Sequence, residues 1–296
     1  MALWLLLGVL AYLSFAISTS IDKLMMNKKY NRLWTNMLKS FFDAIMLLAI
    51  GLAFFSMEFT PQITLACVVL GFLYAVAGIF YFRVLGLSDV SKVMPYLQAA
   101  QVLLTFFFSL LLFSEPFNIL NLAGILLIIL GMYAVLSRKG FRAPRLDKAF
   151  YYVLIIVALH LGYWLLAKQV LFDAQPISVG LAMYLSGGFF LAVFYLVSKA
   201  KANASASRDA LPAGLKPVHE KQKILTVAIA AVFGSMGTFL LFTALKVGFA
   251  SKVYSLAALQ PVFISIIALI FLREKWYLQR IIGTVLVCAG IFLISI

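Results

Sequence analysis

Long apolar runs follow one another along almost the whole chain, and only short polar stretches separate them. A helix needs about 20 apolar residues to cross roughly 30 Å of hydrocarbon, so each run predicts a membrane-spanning helix. The runs lack the strict alternation of apolar and polar positions that a membrane β-barrel requires. Ten spans are predicted, at residues 2–22, 37–57, 63–86, 93–114, 117–137, 149–170, 177–198, 224–246, 252–272 and 276–296.

The composition agrees with this pattern. Of the 296 residues, 65% are hydrophobic and only 11% are charged, and the mean hydropathy is +1.07. Because a soluble globular protein carries about 25% charged residues, the sequence predicts an all-α integral membrane protein, with the cytoplasmic membrane as its expected location. The first run lacks a preceding basic segment and an A-x-A cleavage site, so we expect a retained first helix rather than a signal peptide.

One stretch of sequence occurs twice. "DVSKVMPYLQAAQVLLTFFFSLLLFSEP" and "FASKVYSLAALQPVFISIIALIFLREKW" share a Ser-Lys-Val motif, a glutamine and an apolar run that ends at an acid. The repeat predicts two units of five helices, at residues 1–137 and 149–296, joined by a basic loop at 138–148. The second unit also contains a polar loop at 198–223, whose composition predicts flexibility. Aligned pairs are Ser91 with Ser251, Lys92 with Lys252, Glu115 with Glu274, Gly124 with Gly283, and Gly131 with Gly290.

An odd number of helices in each unit predicts that the second unit enters the membrane from the opposite side, as an inverted repeat. The charges give an independent indication. Loops 1, 3, 5, 7 and 9 hold 21 of the 24 Lys and Arg residues, so these loops are expected in the cytoplasm and both termini outside. The net charge of +14 then favours contact with anionic lipid, and no nucleic-acid partner is expected.

The second copy resembles the closing helix pair of the EamA branch of the drug/metabolite transporter superfamily. The resemblance rests on a proline within a helix, an acid after it, and then a glutamine and two glycines; these residues are Pro261, Glu274, Gln279, Gly283 and Gly290. It implies a ten-helix transporter with a central cavity between the halves, lined mostly by spans 1, 3, 4, 6, 8 and 9. Members of this superfamily are usually drawn with both termini in the cytoplasm, from which the charge count here departs.

Polar side chains inside the spans are the candidate substrate-binding residues, because lipid cannot satisfy their hydrogen bonds. Tyr81 and Tyr163 have an alternative interpretation as interfacial aromatic residues, and serines such as Ser14 and Ser18 are expected to bond the backbone four residues earlier. The glycines at seven-residue spacing in spans 5 and 10 predict close helix packing. The candidates are Tyr74, Tyr96, Gln98, Gln101, His160, Trp164, Tyr254 and Gln260.

Charged residues near the spans are candidates for gating or coupling. Asp43 lies well inside a span and is a candidate proton-linked carboxylate, although pairing with Lys39 one turn away is the simpler interpretation. Lys39 itself is expected to reach the membrane surface. Lys92 and Lys252 are expected at opposite mouths of the cavity, with anchoring to lipid headgroups as the alternative. Glu115 and Glu274 indicate anchoring of helix ends or a role in gating.

These features predict a secondary transporter that moves a small polar or aromatic metabolite, with export of an amino-acid-like solute as the favoured case. A flippase for a polyprenyl-linked or other lipid headgroup is the alternative. An enzyme is not expected, because no paired carboxylates or metal-ligand spacing occur, and neither a metal nor a cofactor is predicted. The expected partners are the solute and membrane lipids, and a monomer is expected because one chain carries both units.

Overall fold

The structure is a computed structural model that describes residues 3–87, 90–116, 118–136, 148–206, 220–272 and 278–295. These residues form a bundle of helices. In chain order the helices are α1 (Leu3–Asn27), α2 (Arg32–Phe54), α3 (Pro61–Leu87), α4 (Val90–Phe113), α5 (Ile119–Leu136), α6 (Lys148–Val170), α7 (Pro176–Ala206), α8 (Glu220–Val247), α9 (Ala250–Ser255), α10 (Leu259–Leu272) and α11 (Leu278–Ser295).

Seven of the described helical stretches are long and apolar enough to cross a membrane, and three more apolar helices, at Leu97–Phe113, Ile119–Ala134 and Ile282–Ile294, are shorter. Large apolar side chains are exposed on the outside of the bundle; the exposed fraction is 79% for Phe54 and 78% for Leu111. Apolar surface of this extent indicates contact with lipid rather than water. The chain is therefore a multi-pass membrane protein.

Span nine was predicted as one helix and is interrupted instead. A short 3₁₀ turn, Leu256–Ala258, separates α9 from α10. Pro261 explains the break, since a proline lacks the N–H that would bond the carbonyl four residues earlier, here that of Ala257, and its ring clashes with that carbonyl. The first unit has Gln101 at the equivalent position, and α4 is continuous there.

The α1–α2 hairpin is set by its turn. Lys29 has a φ of 57°, in the left-handed region, and reverses the chain after α1. Asn31 then starts α2, because its side-chain oxygen accepts a hydrogen bond from the Trp34 amide at 3.0 Å. Helices α1 and α2 then both pack against α8, and Asp22 of α1 lies within ion-pair distance of Lys39 of α2.

Packing between the two predicted units follows a regular pattern. The extensive contacts of α1 with α8 have a counterpart in those of α3 with α6, and α2 packs on α7. Likewise α2 against α8 corresponds to α3 against α7, and α1 against α10 to α4 against α6. When each helix is replaced by the equivalent helix of the other unit, each of these contacts becomes another contact of the same set, and the α2–α7 contact becomes itself. The largest buried apolar cluster extends through both units.

The predicted close packing of the glycine helices is confirmed. A Cβ atom on Gly124 would lie 2.6 Å from the Gly290 carbonyl oxygen, and one on Gly131 would lie 2.7 Å from the Gly283 carbonyl oxygen. The backbones of α5 and α11 therefore touch at these positions, as small residues allow in membranes. Because Gly124 meets Gly290 while Gly131 meets Gly283, the two helices run antiparallel.

The polar loop predicted at 198–223 is partly helical. Helix α7 continues to Ala206, and α8 begins at Glu220. Residues 207–219 lie outside the described part of the chain, and so do residues 138–147 of the basic link predicted at 138–148, whose last residue, Lys148, begins α6.

Candidate functional site

A buried cavity of about 170 Å³ lies between the two units. Side chains from α1, α3, α4, α6, α8 and α10 line it. These helices lie in spans 1, 3, 4, 6, 8 and 9, which the family resemblance implied as the lining spans. Helices α2 and α7 also contribute, and the sequence interpretation did not include them. The lining combines aromatic rings with amides, hydroxyls and three charged groups.

Six of the eight predicted binding residues line this cavity: Tyr74, Gln98, Gln101, His160, Trp164 and Gln260. Tyr254 lies behind that layer. Its ring stacks on Trp164 with centroids 4.3 Å apart, and its hydroxyl donates to the Trp164 carbonyl oxygen at 2.7 Å. Tyr254 therefore supports the Trp164 ring from outside the cavity. The side chain of Tyr96 lies outside the described residues.

Amide side chains connect the two units across the cavity. Gln98 on α4 donates to the Gln260 side-chain oxygen at 2.6 Å, and Gln260 donates to the Thr19 hydroxyl on α1 at 3.0 Å. A second contact joins the Gln101 amide nitrogen to His160 Nδ1 on α6. This contact joins α4 of the first unit to α6 of the second.

Asp22 and Lys39 form an ion pair in the cavity, with Lys39 Nζ 2.6 Å from Asp22 Oδ2. Lys39 also donates to the Ser18 hydroxyl at 2.9 Å, and Tyr81 donates to Asp22 at 3.3 Å. Lys39 is only 8% exposed, so the prediction that it reaches the membrane surface is wrong. The predicted ion pair with Asp43 does not form, because Asp22 is the carboxylate at ion-pair distance, although Lys39 still attracts Asp43.

Asp43 is the second carboxylate of the cavity and is 1% exposed. It lies near the Ser235 amide of α8, but neither carboxylate oxygen has a hydrogen-bond partner of normal geometry within the described structure. A Cβ atom on Gly234 would lie 2.9 Å from Asp43 Oδ1, so the glycine allows α8 to approach this carboxylate. Asp43 is thus buried against the cavity without an ion pair of its own in the described structure, and the cation that acts on it, Lys39, is already paired with Asp22.

Aromatic rings form much of the remaining wall. Tyr74 and Tyr184 pack edge to face with centroids 5.2 Å apart, and the Tyr184 and Thr238 hydroxyls are 2.6 Å apart. Tyr81 and Tyr163 also line the cavity, so the alternative that they are interfacial residues is wrong. Of the two serines, Ser14 bonds the Leu10 carbonyl as expected, whereas Ser18 donates across to Ala230 on α8.

Polar contacts tie the units together at the end where the even-numbered loops lie. The Glu115 carboxylate accepts hydrogen bonds from the Ala250 and Ser251 amides, at 2.5 and 2.9 Å, at the start of α9. Lys168 donates to the Leu245 and Gly248 carbonyl oxygens at 2.6 and 2.9 Å. Glu115 therefore joins the end of α4 in the first unit to the start of α9 in the second.

The remaining charged candidates are less defined. Lys252 lies half-buried on α9 and lines neither this cavity nor the pocket around Glu115. The side chain of Lys92 and all of Glu274 lie outside the described residues. Lining residues that the sequence interpretation missed include Tyr12, Asn36 and Tyr184. Their signal was weak, because a tyrosine or asparagine in a span indicates burial without indicating what it faces.

Comparison with known proteins places this arrangement in a family. The EamA-like transporter family matches twice, over residues 2–137 and 148–296. The chain belongs to the EamA-like transporter family. The family consists of transporters, and this chain is a multi-pass membrane protein of that family.

Two further similarities concern single proteins. An uncharacterized protein of Methanocaldococcus jannaschii is 43% identical over 76 residues, which are 25% of this chain and 56% of that protein. The chain thus spans little more than half the length of the curated relative it matches. A solved crystal structure superposes with a TM-score of 0.72 at 18% identity, and the match covers 97% of this chain and 94% of that one. This last similarity shows the fold alone.

Proposed function

We propose that this protein is a secondary transporter that moves a small polar or aromatic organic solute across the cytoplasmic membrane by alternating access. The buried cavity of about 170 Å³ between the units carries this proposal. Helices of both units line it, as alternating exposure requires. A largely apolar wall that is rich in aromatic rings and has convergent polar groups is typical of sites for small organic molecules.

We infer that the helices form ten spans arranged as two inverted units, in which α9 and α10 together make the ninth span. The antiparallel crossing of α5 and α11 supports inversion, because equivalent helices of two units in the same orientation would run parallel. The paired contacts between the units support it as well. Substrate sites of such transporters lie at the interface between repeats, near the middle of the membrane.

One gate in this mechanism lies at the even-loop end. Opening the cavity there requires that Glu115 release the Ala250 and Ser251 amides, which it now caps from the other unit. Hydrogen bonds to a charged acceptor contribute about 1.5–3 kcal/mol each, enough to bias the equilibrium between two states. Lys92 and Lys252 begin equivalent helices and act in this proposal at opposite mouths of the cavity.

The orientation follows from the distribution of positive charge. With Lys39 set aside because it lies in the cavity, 20 of the 24 Lys and Arg residues remain with the odd-numbered loops, which favours the cytoplasm for those loops and the outside for both termini. We propose export as the direction of transport, with an amino-acid-like metabolite as the solute. A single chain carries both units and so suffices for function as a monomer among membrane lipids.

A flippase for a lipid-linked headgroup is the competing function on this scaffold. Such headgroups carry phosphate, and a basic cavity would favour them. The described lining instead contains Asp22, Asp43 and Lys39 as its charged groups, so its formal charge is negative. This balance favours a small solute over an anionic headgroup.

Liposomes reconstituted with the purified protein separate the two functions. One assay measures uptake of radiolabelled L-phenylalanine and phenethylamine, and the other measures translocation of a fluorescent polyprenyl phosphate to the outer leaflet. We expect protein-dependent solute uptake and no lipid translocation. Lipid translocation without uptake of either solute would establish the flippase instead.

A further inference from the structure

The charges of the cavity do not balance. Its described lining contains the carboxylates of Asp22 and Asp43 and the ammonium group of Lys39. Lys39 forms the ion pair of 2.6 Å with Asp22 and also attracts the Asp43 carboxylate, so one cation faces two carboxylates and one negative charge remains. A carboxylate that is 1% exposed is costly without a compensating cation or donor. The cavity therefore favours a ligand that brings one positive charge.

The open hydrogen-bonding atoms point in the same direction. Five oxygens in the described lining that can only accept have no hydrogen-bond partner of normal geometry: Asp22 Oδ1, both oxygens of Asp43, Gln98 Oε1 and Gln101 Oε1. The sole unpartnered atom there that can only donate is Asn36 Nδ2, while the Tyr12 hydroxyl can do either. A lining rich in free acceptors complements a ligand rich in donors.

We propose that the cavity binds the protonated amine of a small organic cation, with Asp43 as the carboxylate that receives it. This deepens the transport function proposed above and rests on it. An ammonium group supplies three donors and one positive charge. The adjoining faces of Tyr74 and Tyr184 suit a cation electrostatically, and Gln98 and Gln101 accept from further N–H or O–H groups of the ligand.

Size and charge narrow the ligand further. The volume of about 170 Å³ is below the roughly 300–1,000 Å³ of sites for drug-sized molecules, so the amine is compact. Lys39 is already paired with Asp22 and is not free to receive a carboxylate. Among amino-acid-like solutes, a zwitterion can therefore bind through its ammonium group, but the corresponding amine without its carboxylate is expected to bind more tightly.

A set of three probes that share a phenyl ring tests this ligand class on the purified full-length protein in detergent. Phenethylamine carries a positive charge, L-phenylalanine is zwitterionic, and 3-phenylpropionate carries a negative charge. Isothermal titration calorimetry is expected to show the tightest binding for phenethylamine and the weakest for 3-phenylpropionate. Equal or tighter binding of the acid, or no measurable binding of phenethylamine at millimolar concentration, would overturn the proposal without any variant.

Substitution of the carboxylate tests the role of Asp43. Asp43→Asn keeps the shape of the side chain and removes the charge, so phenethylamine is expected to bind at least about tenfold more weakly, as loss of a charged hydrogen bond implies. Asp173→Asn removes an exposed carboxylate between α6 and α7 and is the matched control. Wild-type affinity in the Asp43→Asn variant would contradict the assignment.

Uptake into liposomes distinguishes failure of the proposed amine site from failure of the proposed transport function. Charge-selective binding of phenethylamine without protein-dependent uptake would refute transport and leave the amine site intact. Uptake of L-phenylalanine that Asp43→Asn does not change, together with no preference for phenethylamine, would leave transport intact and refute the amine site.

Discussion

Replacing Gly124 by alanine tests the crossing of α5 and α11, on which the inverted arrangement rests. The added Cβ would lie 2.6 Å from the Gly290 carbonyl oxygen and 2.8 Å from Ile294 Cγ1. A backbone oxygen cannot rotate away as a flexible side chain can, so the two helices must move apart. Overpacking of this kind costs about 1–3 kcal/mol, and the better helix propensity of alanine returns at most about 1 kcal/mol.

Gly162→Ala is the matched control for this substitution. Gly162 lies on α6, and the nearest neighbouring atom to an added Cβ would be Leu73 Cδ1 at 3.9 Å, an ordinary contact. Only the gain in helix propensity applies there, so this variant is expected to be as stable as the wild type or more stable. Equilibrium unfolding in mixed detergent micelles measures both variants. A Gly124→Ala variant at least as stable as Gly162→Ala would refute the close crossing.

Three further predictions concern the charged groups. Lys39→Met leaves Asp22 buried without its cation and is expected to lower the unfolding free energy by about 3–5 kcal/mol. The double variant Lys39→Met/Asp22→Asn is expected to recover part of that loss in the same unfolding assay. An equal loss in the single and the double variant would contradict the pairing. A cysteine at Lys199 is expected to resist an impermeant thiol reagent in intact cells, whereas one at Glu58 reacts; the reverse result would invert the topology. Lys92→Gln and Lys252→Gln are each expected to abolish transport while the protein still reaches the membrane. Normal transport in both variants would leave helix anchoring as the only role of these lysines.

The features that could be predicted from sequence are those set by local pattern. Seven-residue spacing of Gly124 and Gly131 places both on one helix face, and their role in packing follows without knowledge of the partner. Gln98 and Gln101 stand in an apolar run where lipid cannot satisfy an amide, so an inward orientation follows as well. Both inferences depend only on the helix that carries the residue.

The features that could not be predicted depend on how helices meet. Lys39 lies one turn from Asp43 in sequence, but the packing of α1 and α2 against α8 gives it Asp22 as its ion-pair partner. No local pattern indicates which carboxylate of another helix lies within reach. Tyr184 lines the cavity because α7 packs against helices of the other unit, and no local sequence pattern indicates that packing. Tyr254 lies behind Trp164 rather than in the cavity lining. It belongs to the span that the 3₁₀ turn Leu256–Ala258 interrupts, just before Pro261.

Solute counterflow tests the central claim, that this chain carries a small solute through the cavity between its units by alternating access, most directly. Liposomes containing the protein are preloaded with unlabelled phenethylamine and diluted into a trace of the radiolabelled compound. A carrier that exchanges solute is predicted to concentrate the tracer transiently inside above its equilibrium level, and Asp43→Asn is predicted to lose this overshoot. Tracer entry without an overshoot, or at the rate of protein-free liposomes, would contradict the account.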